Sequence, residues 1–193
     1  MLGNDVVDLG DPETRAEARH PGFDRRVFGE AERRALARGP ECLRWALWAA
    51  KEAAYKAARQ GDPRALFSPQ RFQVELDGGF RGRVRHPGGT LPVRVTRRGD
   101  CLHALAGGSG RSRWRVAERS GGDASAEVRA LARRQLARAL GCPAGELEIA
   151  RQGRIPRVRR DTLPLALDLS LSHHGRYLAL AWELWGTGGG ASR

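Results

Sequence analysis

One aspartate near the start of the chain has the residue type and setting to hold a cation. Asp5 lies in the apolar run from Leu2 to Leu9, and that run predicts a short β-strand. A carboxylate in such a strand is costly to bury unless it is paired or holds a cation. Taken alone, the segment leaves two interpretations open, a turn or capping carboxylate and a cation ligand.

A second set of ionisable residues lies in the stretch W-A-A-K-E-A-A-Y-K, residues 48–56. Its composition predicts a helix, on which Trp48, Glu52 and Lys56 share one face because they are four residues apart. As an exposed pair, Glu52 and Lys56 would contribute only about 0.3–0.5 kcal/mol. The neighbouring tryptophan indicates a partly buried face instead, where a carboxylate and an ammonium need a stronger reason to lie.

Hydroxyls and imidazoles cluster in residues 167–177, L-D-L-S-L-S-H-H-G-R-Y. On a strand, Ser170, Ser172 and His174 lie on one side and His173 on the other. Such groups beside a glycine turn and an arginine suit a phosphate, and a plain polar surface is the alternative. A metal site on both histidines is disfavoured because adjacent strand residues point apart.

The remaining sequence predicts the elements that position these residues. Helices are expected over residues 30–38, 41–60 and about 123–140, and antiparallel strands over residues 72–117 and at residues 146–150, 166–171 and 177–185. The run Gly153-Arg154-Ile155-Pro156 is expected to be a basic loop. The predicted fold class is α+β, with two pseudo-symmetric halves that each pack a long helix on a small antiparallel sheet. Residues 1–118 and 119–185 form the halves, and residues 186–193 a flexible tail.

Composition restricts the function classes. The chain has 193 residues, 40% of them hydrophobic, and a net charge of +12, which argues against disorder and favours anionic partners. No apolar stretch approaches the roughly 20 residues of a membrane span. Three scattered cysteines predict reduced thiols in a cytoplasmic protein rather than a disulfide framework.

Taken together, the motifs resemble those of the 4'-phosphopantetheinyl transferases, which move the phosphopantetheine arm of coenzyme A onto a serine of a carrier protein. The resemblance covers both halves, and W-x-x-K-E-x-x-x-K is its most specific element. The matching segments are Gly3-Asn4-Asp5 (G-x-D), Phe28 to Glu32 (F-x-x-x-E), Trp48 to Lys56 (W-x-x-K-E-x-x-x-K), Gly153 to Pro156 (a G-K-P variant) and Ser170 to His173 (S-x-S-H).

The resemblance implies a magnesium-dependent active site. Asp5 and Glu52 are the implied Mg²⁺ ligands, with Glu32 completing or supporting the metal shell. Glu52 is also the implied base for the acceptor serine, and Lys56 stabilises the phosphate charge. Larger family members often carry a third acidic ligand where this chain has Val7, and water is expected in its place.

The resemblance also implies a set of residues that bind coenzyme A. Ser172 and His173 match the pair that binds its 3'-phosphate. Arg154 takes the place of the G-K-P lysine, which preserves the charge but alters the geometry. Arg133 aligns with a phosphate-contacting arginine, and Lys51 is expected to orient the helix or to contact the substrate.

The order of the motifs suggests a circular permutation. G-x-D opens this chain and S-x-S-H closes it, as in the short trimeric holo-acyl-carrier-protein synthases, yet the length fits the two-half enzymes. The hypothesis is a permuted two-half enzyme with its site between halves of one chain, and therefore a monomer. It requires Leu2 and Trp185 to lie close together.

Two other functions stay open. Val7 is compatible with an inactive family member that only binds coenzyme A or a carrier protein. The arginines of residues 129–138 and 151–160 could belong to a nucleic-acid-binding module, although aromatic residues are not interleaved with them. The resemblance itself implies coenzyme A and a carrier protein as partners, with no nucleic acid and no membrane.

Overall fold

The computed structural model describes residues 1–185, in which two long helices pack on antiparallel sheets. The predicted flexible tail, residues 186–193, lies outside the described residues. The helices are α1 (Phe23–Val27), α2 (Glu30–Leu36), α3 (Cys42–Gly61) and α4 (Ala124–Leu140). The strands are β1 (Leu2–Asp8), β2 (Gln73–Leu76), β3 (Arg81–His86), β4 (Gly89–Arg98), β5 (Cys101–Gly107), β6 (Arg113–Glu118), β7 (Leu147–Gln152), β8 (Ile155–Arg160), β9 (Leu163–Pro164), β10 (Leu167–His174) and β11 (Tyr177–Leu184).

The first half packs α3 on a five-stranded sheet with the order β1-β5-β4-β3-β2. The inner face of α3 is largely alanine, with five alanines at or near zero exposure between residues 46 and 54. These small side chains let the helix lie close to the sheet, and a core of valine, leucine and aromatic residues surrounds the contact. The edge strand β1 therefore lies directly beneath α3.

The second half packs α4 on the three-stranded sheet β10-β11-β6, with a smaller sheet β7-β8-β9 beside it. The Asp123 side chain accepts hydrogen bonds from the backbone N–H groups of Ser125 and Ala126 and so begins α4. Gly141, at φ 66°, ends it in the left-handed conformation. Leu131, Leu136 and the apolar residues of β10 and β11 form a separate core.

The two halves meet where β1 lies against β10, and side chains of β10 accept hydrogen bonds from the backbone of β1. Alternate backbone N–H groups of β1 donate to alternate side chains of β10. The three bonds run from Asn4 to Ser170 Oγ (2.9 Å), from Val6 to Ser172 Oγ (3.2 Å) and from Asp8 to His174 Nδ1 (3.2 Å). We call this set the side-chain seam. It confirms the prediction that these three β10 residues share one side of a strand.

The α+β class with two helix-on-sheet halves is confirmed, with two local differences. β6 pairs with β11, so the change from one sheet to the other falls between Gly107 and Arg113 and not after residue 118. The predicted basic loop is a turn at Gly153 followed by strand β8, in which Ile155 and Val158, three residues apart, are buried on opposite faces.

The beginning of the chain lies beside the last described strand. The N-terminal ammonium contacts the Asp168 carboxylate at 2.8 Å, and Asp168 pairs with Glu183 of β11. The circular-permutation hypothesis needs such proximity, and the permutation itself stays a hypothesis. None of the helices within residues 1–185 combines the length and apolar character needed to span a lipid bilayer.

Candidate functional site

Gly3 allows strand β1 to touch helix α3 through backbone atoms. A Cβ at this position would lie 1.9 Å from the Ala53 carbonyl oxygen and 2.6 Å from the Ala57 nitrogen, so only glycine fits. Asp5 follows two residues later and therefore lies on the same face of the strand. The glycine of G-x-D thus brings the aspartate against the helix that carries Glu52 and Lys56.

The Asp5 carboxylate is held from both halves of the molecule. Its Oδ1 accepts hydrogen bonds from Lys56 Nζ at 2.7 Å and from Ser172 Oγ at 2.7 Å. Lys56 Nζ also donates to the Asn4 carbonyl oxygen at 3.2 Å. A carboxylate, an ammonium and a hydroxyl thus meet at the junction of β1, α3 and β10.

Glu52 lies next to this group in an apolar setting. Burial, together with the nearby charge of Asp5, raises the pKa of the Glu52 carboxyl to about 7, although the Lys56 ammonium opposes the shift. Nearby, the Phe67 ring lies 5.8 Å from the Trp48 ring and 4.8 Å from the Tyr55 ring of α3. Those two residues flank Glu52 on one face of α3.

The acidic pair suits a divalent cation such as Mg²⁺. Two neighbouring ionised carboxylates repel each other electrostatically unless a cation lies between them. Carboxylate oxygens are also the hard ligands that Mg²⁺ prefers. No side chain of residues 1–185 donates a hydrogen bond to Glu52. Within the same residues no third acidic, histidine or cysteine ligand joins the pair. Val7 is buried in the core, and Asp8 faces the other way and binds Arg176.

A cavity of about 300 Å³ opens between α3 and α4 beside Lys56. Among residues 1–185, its lining combines cationic groups with an apolar wall and contains no acidic residue. The cationic or titratable members are Lys56, Arg59, Arg129, Arg151, Arg154 and His173, and the apolar wall includes Val128, Ile149, Ile155, Leu169 and Leu171. Such a lining fits a ligand that carries several negative charges and an uncharged portion.

Ser125 in the first turn of α4 gathers two arginines at the rim of this cavity. Its Oγ accepts from Arg129 at 2.8 Å and from Arg151 at 3.3 Å. The sequence prediction missed both arginines and named Arg133 instead. Arg133 lies one turn further along α4, is exposed, and does not line this cavity. The helical spacing of Ser125 and Arg129 is the signal that could have found them.

Ser172 and His173 of the S-x-S-H motif lie in different environments. His173 lines the cavity together with Arg154, and burial together with the nearby charges of Lys56 and Arg119 lowers the pKa of its imidazole. Ser172 does not line the cavity; it is buried in the seam against Asp5. Alternation along β10 sends the two neighbouring side chains to opposite faces.

Glu32 and Lys51 form a buried structural pair, which argues against a place for Glu32 in the metal shell and fits the alternative that Lys51 orients the helix rather than contacts the substrate. Their side chains are 5% and 0% exposed. The Glu32 carboxylate accepts from Lys51 Nζ and from the backbone N–H groups of Gly29 and Val74. Lys51 donates its remaining protons to the carbonyl oxygens of Pro69 and Phe72. Both side chains are saturated by these contacts and tie α2 and α3 to β2.

A comparison with protein-family models matches residues 1–116 to the 4'-phosphopantetheinyl transferase superfamily. The chain belongs to this superfamily. The match covers the half with Asp5, Glu52 and Lys56, and it supports a phosphopantetheine transferase kind of function. A search of curated proteins found no match. The second half of this superfamily member, with its arginine-lined cavity wall, lies beyond the matched residues.

Proposed function

We propose that the chain transfers the 4'-phosphopantetheine group of coenzyme A to a serine of an acyl or peptidyl carrier protein and releases adenosine 3',5'-bisphosphate. One observation carries the proposal: Lys56 pairs with Asp5 and also lines the arginine-rich cavity. The acidic pair and the anion-binding cavity are therefore continuous. A substrate that is polyanionic at one end would place a phosphate beside the acidic pair.

The cavity matches the chemical character of coenzyme A. Arg129, Arg151, Arg154 and His173 offer charge-assisted hydrogen bonds to phosphate oxygens. The apolar wall offers a surface for an uncharged heterocycle. We place the 3'-phosphate near His173 and the pyrophosphate near Lys56, which agrees with the residues that the family motifs assign.

Transfer requires a base, a stabilised pyrophosphate and an aligned acceptor. The acceptor serine oxygen attacks the phosphorus that bears the pantetheine arm, and the bond from this phosphorus to the bridging oxygen breaks. The leaving adenosine 3',5'-bisphosphate keeps that oxygen and its electron pair. The serine proton passes to the Glu52 carboxylate, directly or through water.

Asp5 and Glu52 would hold Mg²⁺, which supplies charge neutralisation and alignment of the pyrophosphate oxygens when bound. Lys56 adds a positive charge on the same side, fixed by its bonds to Asp5 and to the Asn4 carbonyl. In this arrangement Lys56 stabilises the negative charge that builds on the leaving group.

The surface charge fits the second substrate. The net charge of +12 would speed the encounter with an acidic carrier protein, and this effect would weaken as salt is added. Because both halves of one chain contribute to the site, we propose that a monomer is active.

The direct test incubates the purified chain with coenzyme A, MgCl₂ and several apo carrier proteins, and follows the carrier mass. We expect a mass gain of one phosphopantetheine per carrier, which is lost in the isosteric variants Asp5→Asn and Glu52→Gln. Glu41→Gln, an exposed position at the start of α3, is the matched control and should keep the activity.

Two outcomes would point to the other functions. Coenzyme A binding by calorimetry with no transfer to any carrier would identify a binding protein that has lost catalysis. Salt-sensitive DNA or RNA binding that persists in Asp5→Asn, with no coenzyme A binding, would favour the nucleic-acid module.

A further inference from the structure

Ser172 is the one seam residue of β10 that bonds both the backbone of β1 and the Asp5 carboxylate. Its Oγ accepts the backbone N–H of Val6 at 3.2 Å and donates to Asp5 Oδ1 at 2.7 Å. The residue is 7% exposed, and it is absent from the lining of the arginine-rich cavity. Its hydroxyl therefore links the second half of the chain to the carboxylate at the centre of the site.

We propose that Ser172 is a positioning residue for Asp5 and not a ligand of the coenzyme A 3'-phosphate. The inference rests on the proposed function, because it assigns Asp5 to the cation. It changes the role that the S-x-S-H resemblance gives to the serine and leaves the phosphate contact to His173.

The hydrogen-bonding capacity of a hydroxyl supports this role. A serine has one proton to donate, and here that proton is donated to Asp5. To bind a phosphate oxygen, Ser172 would have to withdraw its proton from a charged, mostly buried carboxylate. The bond to Asp5 is charge-assisted and lies in a mostly buried setting, where leaving the carboxylate without it is costly.

The hydrogen bond from Ser172 also fixes the orientation of the Asp5 carboxylate. With Oδ1 fixed by Ser172 and Lys56, the carboxylate cannot rotate freely, while no side chain of residues 1–185 bonds Oδ2. When a group that hydrogen-bonds and orients a metal ligand is removed, the metal affinity typically falls by about 10–100-fold. Ser172 supplies this support from the opposite half of the molecule, so cation binding depends on the docking of both halves.

Ser170 provides a matched control. It lies two residues earlier on the same strand and accepts the Asn4 backbone N–H at 2.9 Å, but it makes no hydrogen bond to Asp5; because it also lines the cavity, it serves as the control for cation binding only. Ser170→Ala and Ser172→Ala each remove one seam bond to β1. Only Ser172→Ala removes support from the carboxylate, so the pair separates a positioning role from a purely structural one.

The first measurement is Mn²⁺ binding to the full chain, followed by electron paramagnetic resonance of the free ion. We expect Ser172→Ala to weaken Mn²⁺ binding about tenfold or more, Ser172→Thr to restore it to within about threefold, and Ser170→Ala to change it less than about twofold. Thermal unfolding of each variant reports its folding. If Ser172→Ala does not fold, Ser172→Cys, a weaker donor of similar size, should show an intermediate loss.

The second measurement compares coenzyme A with 3'-dephospho-coenzyme A by calorimetry without metal. We expect Ser172→Ala to keep the wild-type ratio of the two affinities and His173→Ala to reduce it. Unchanged Mn²⁺ affinity in folded Ser172→Ala, or loss of the affinity ratio in that variant, would overturn the proposal, as would a wild-type chain that binds no Mn²⁺. The carrier assay is read separately, so absent transfer with normal Mn²⁺ effects would refute only the proposed function.

Discussion

The buried pair Glu32 and Lys51 gives a test in which the family resemblance and the structure predict different results. The resemblance assigns Glu32 to the metal shell, whereas the structure saturates its carboxylate with Lys51 and two backbone N–H groups. The perturbations are Glu32→Gln, Lys51→Met and the double variant. If the structural role is correct, the variants change stability and leave cation binding intact.

The burial of both groups fixes the size of the effect. Removal of one partner leaves an uncompensated charge inside the protein, which costs about 3–5 kcal/mol. For a chain of this length 1 kcal/mol corresponds to about 2–4 °C in the unfolding midpoint. Each single variant should therefore unfold about 6–20 °C lower. The double variant removes both charges, so its cost should fall short of the summed single costs by about 2 kcal/mol or more.

Urea and thermal unfolding, followed by tryptophan fluorescence, measure these changes, and a Mn²⁺ titration of each folded variant measures cation binding. Glu30→Gln is the matched control, because Glu30 lies in the same helix but forms an exposed pair with Arg34; its effect should stay within about 0.5 kcal/mol. A Glu32→Gln variant with unchanged stability and weakened Mn²⁺ binding would refute the structural assignment and return Glu32 to the metal shell.

Three further predictions follow from contacts described above. Gly3→Ala would place its Cβ within the backbone of α3, so we expect at least about 1–3 kcal/mol of lost stability in urea together with lost transfer; a stable, active variant would contradict the close approach. Hydrogen bonds from Arg176 lower the pKa of Asp8 to about 2, so their stabilisation is complete above about pH 4 and is lost as the pH falls toward about pH 2. The wild type should therefore lose its stability advantage over Arg176→Gln in urea unfolding across that range, and a constant difference would argue against the pair. Arg129→Ala should weaken coenzyme A binding about tenfold or more by calorimetry, and Arg133→Ala less than about twofold; the reverse order would show that the helix register is misassigned.

Local sequence patterns were sufficient for the elements that carry the chemistry. Alanine and leucine content predicted α3, and the alternation of Ser170, Ser172 and His174 placed them on one side of β10. Both predictions depend only on helix and strand periodicity. Gly3 was recognised in the sequence as part of the G-x-D motif. The need for glycine there comes from the close contact with Ala53, which exists only once α3 has packed on β1.

Other assignments required tertiary pairing that no local pattern contains. The interaction of Ser172 with Asp5 joins residues that are 167 positions apart in the sequence. Strand periodicity alone does not predict which strand packs against the serine hydroxyls of β10. Helical spacing gives the face of α4 but not the turn that lies beside the cavity, so Arg133 was named where Arg129 lines it. The sequence left open whether Lys51 orients the helix or contacts the substrate, because only the packed fold brings its partner Glu32 beside it.

The side-chain seam between β1 and β10 has a consequence for how the halves find each other. A backbone ladder accepts almost any residue at each position, so its alignment can slip. Here three β1 amides need oxygen or nitrogen acceptors at alternate positions of β10, and a shift by one residue would offer them leucine, glycine or the outward-facing His173 instead. The spacing of the three seam acceptors therefore fixes the register of β1 against β10. Two separately expressed halves should reassemble in this one register, and halves whose seam donors and acceptors do not match should fail to associate.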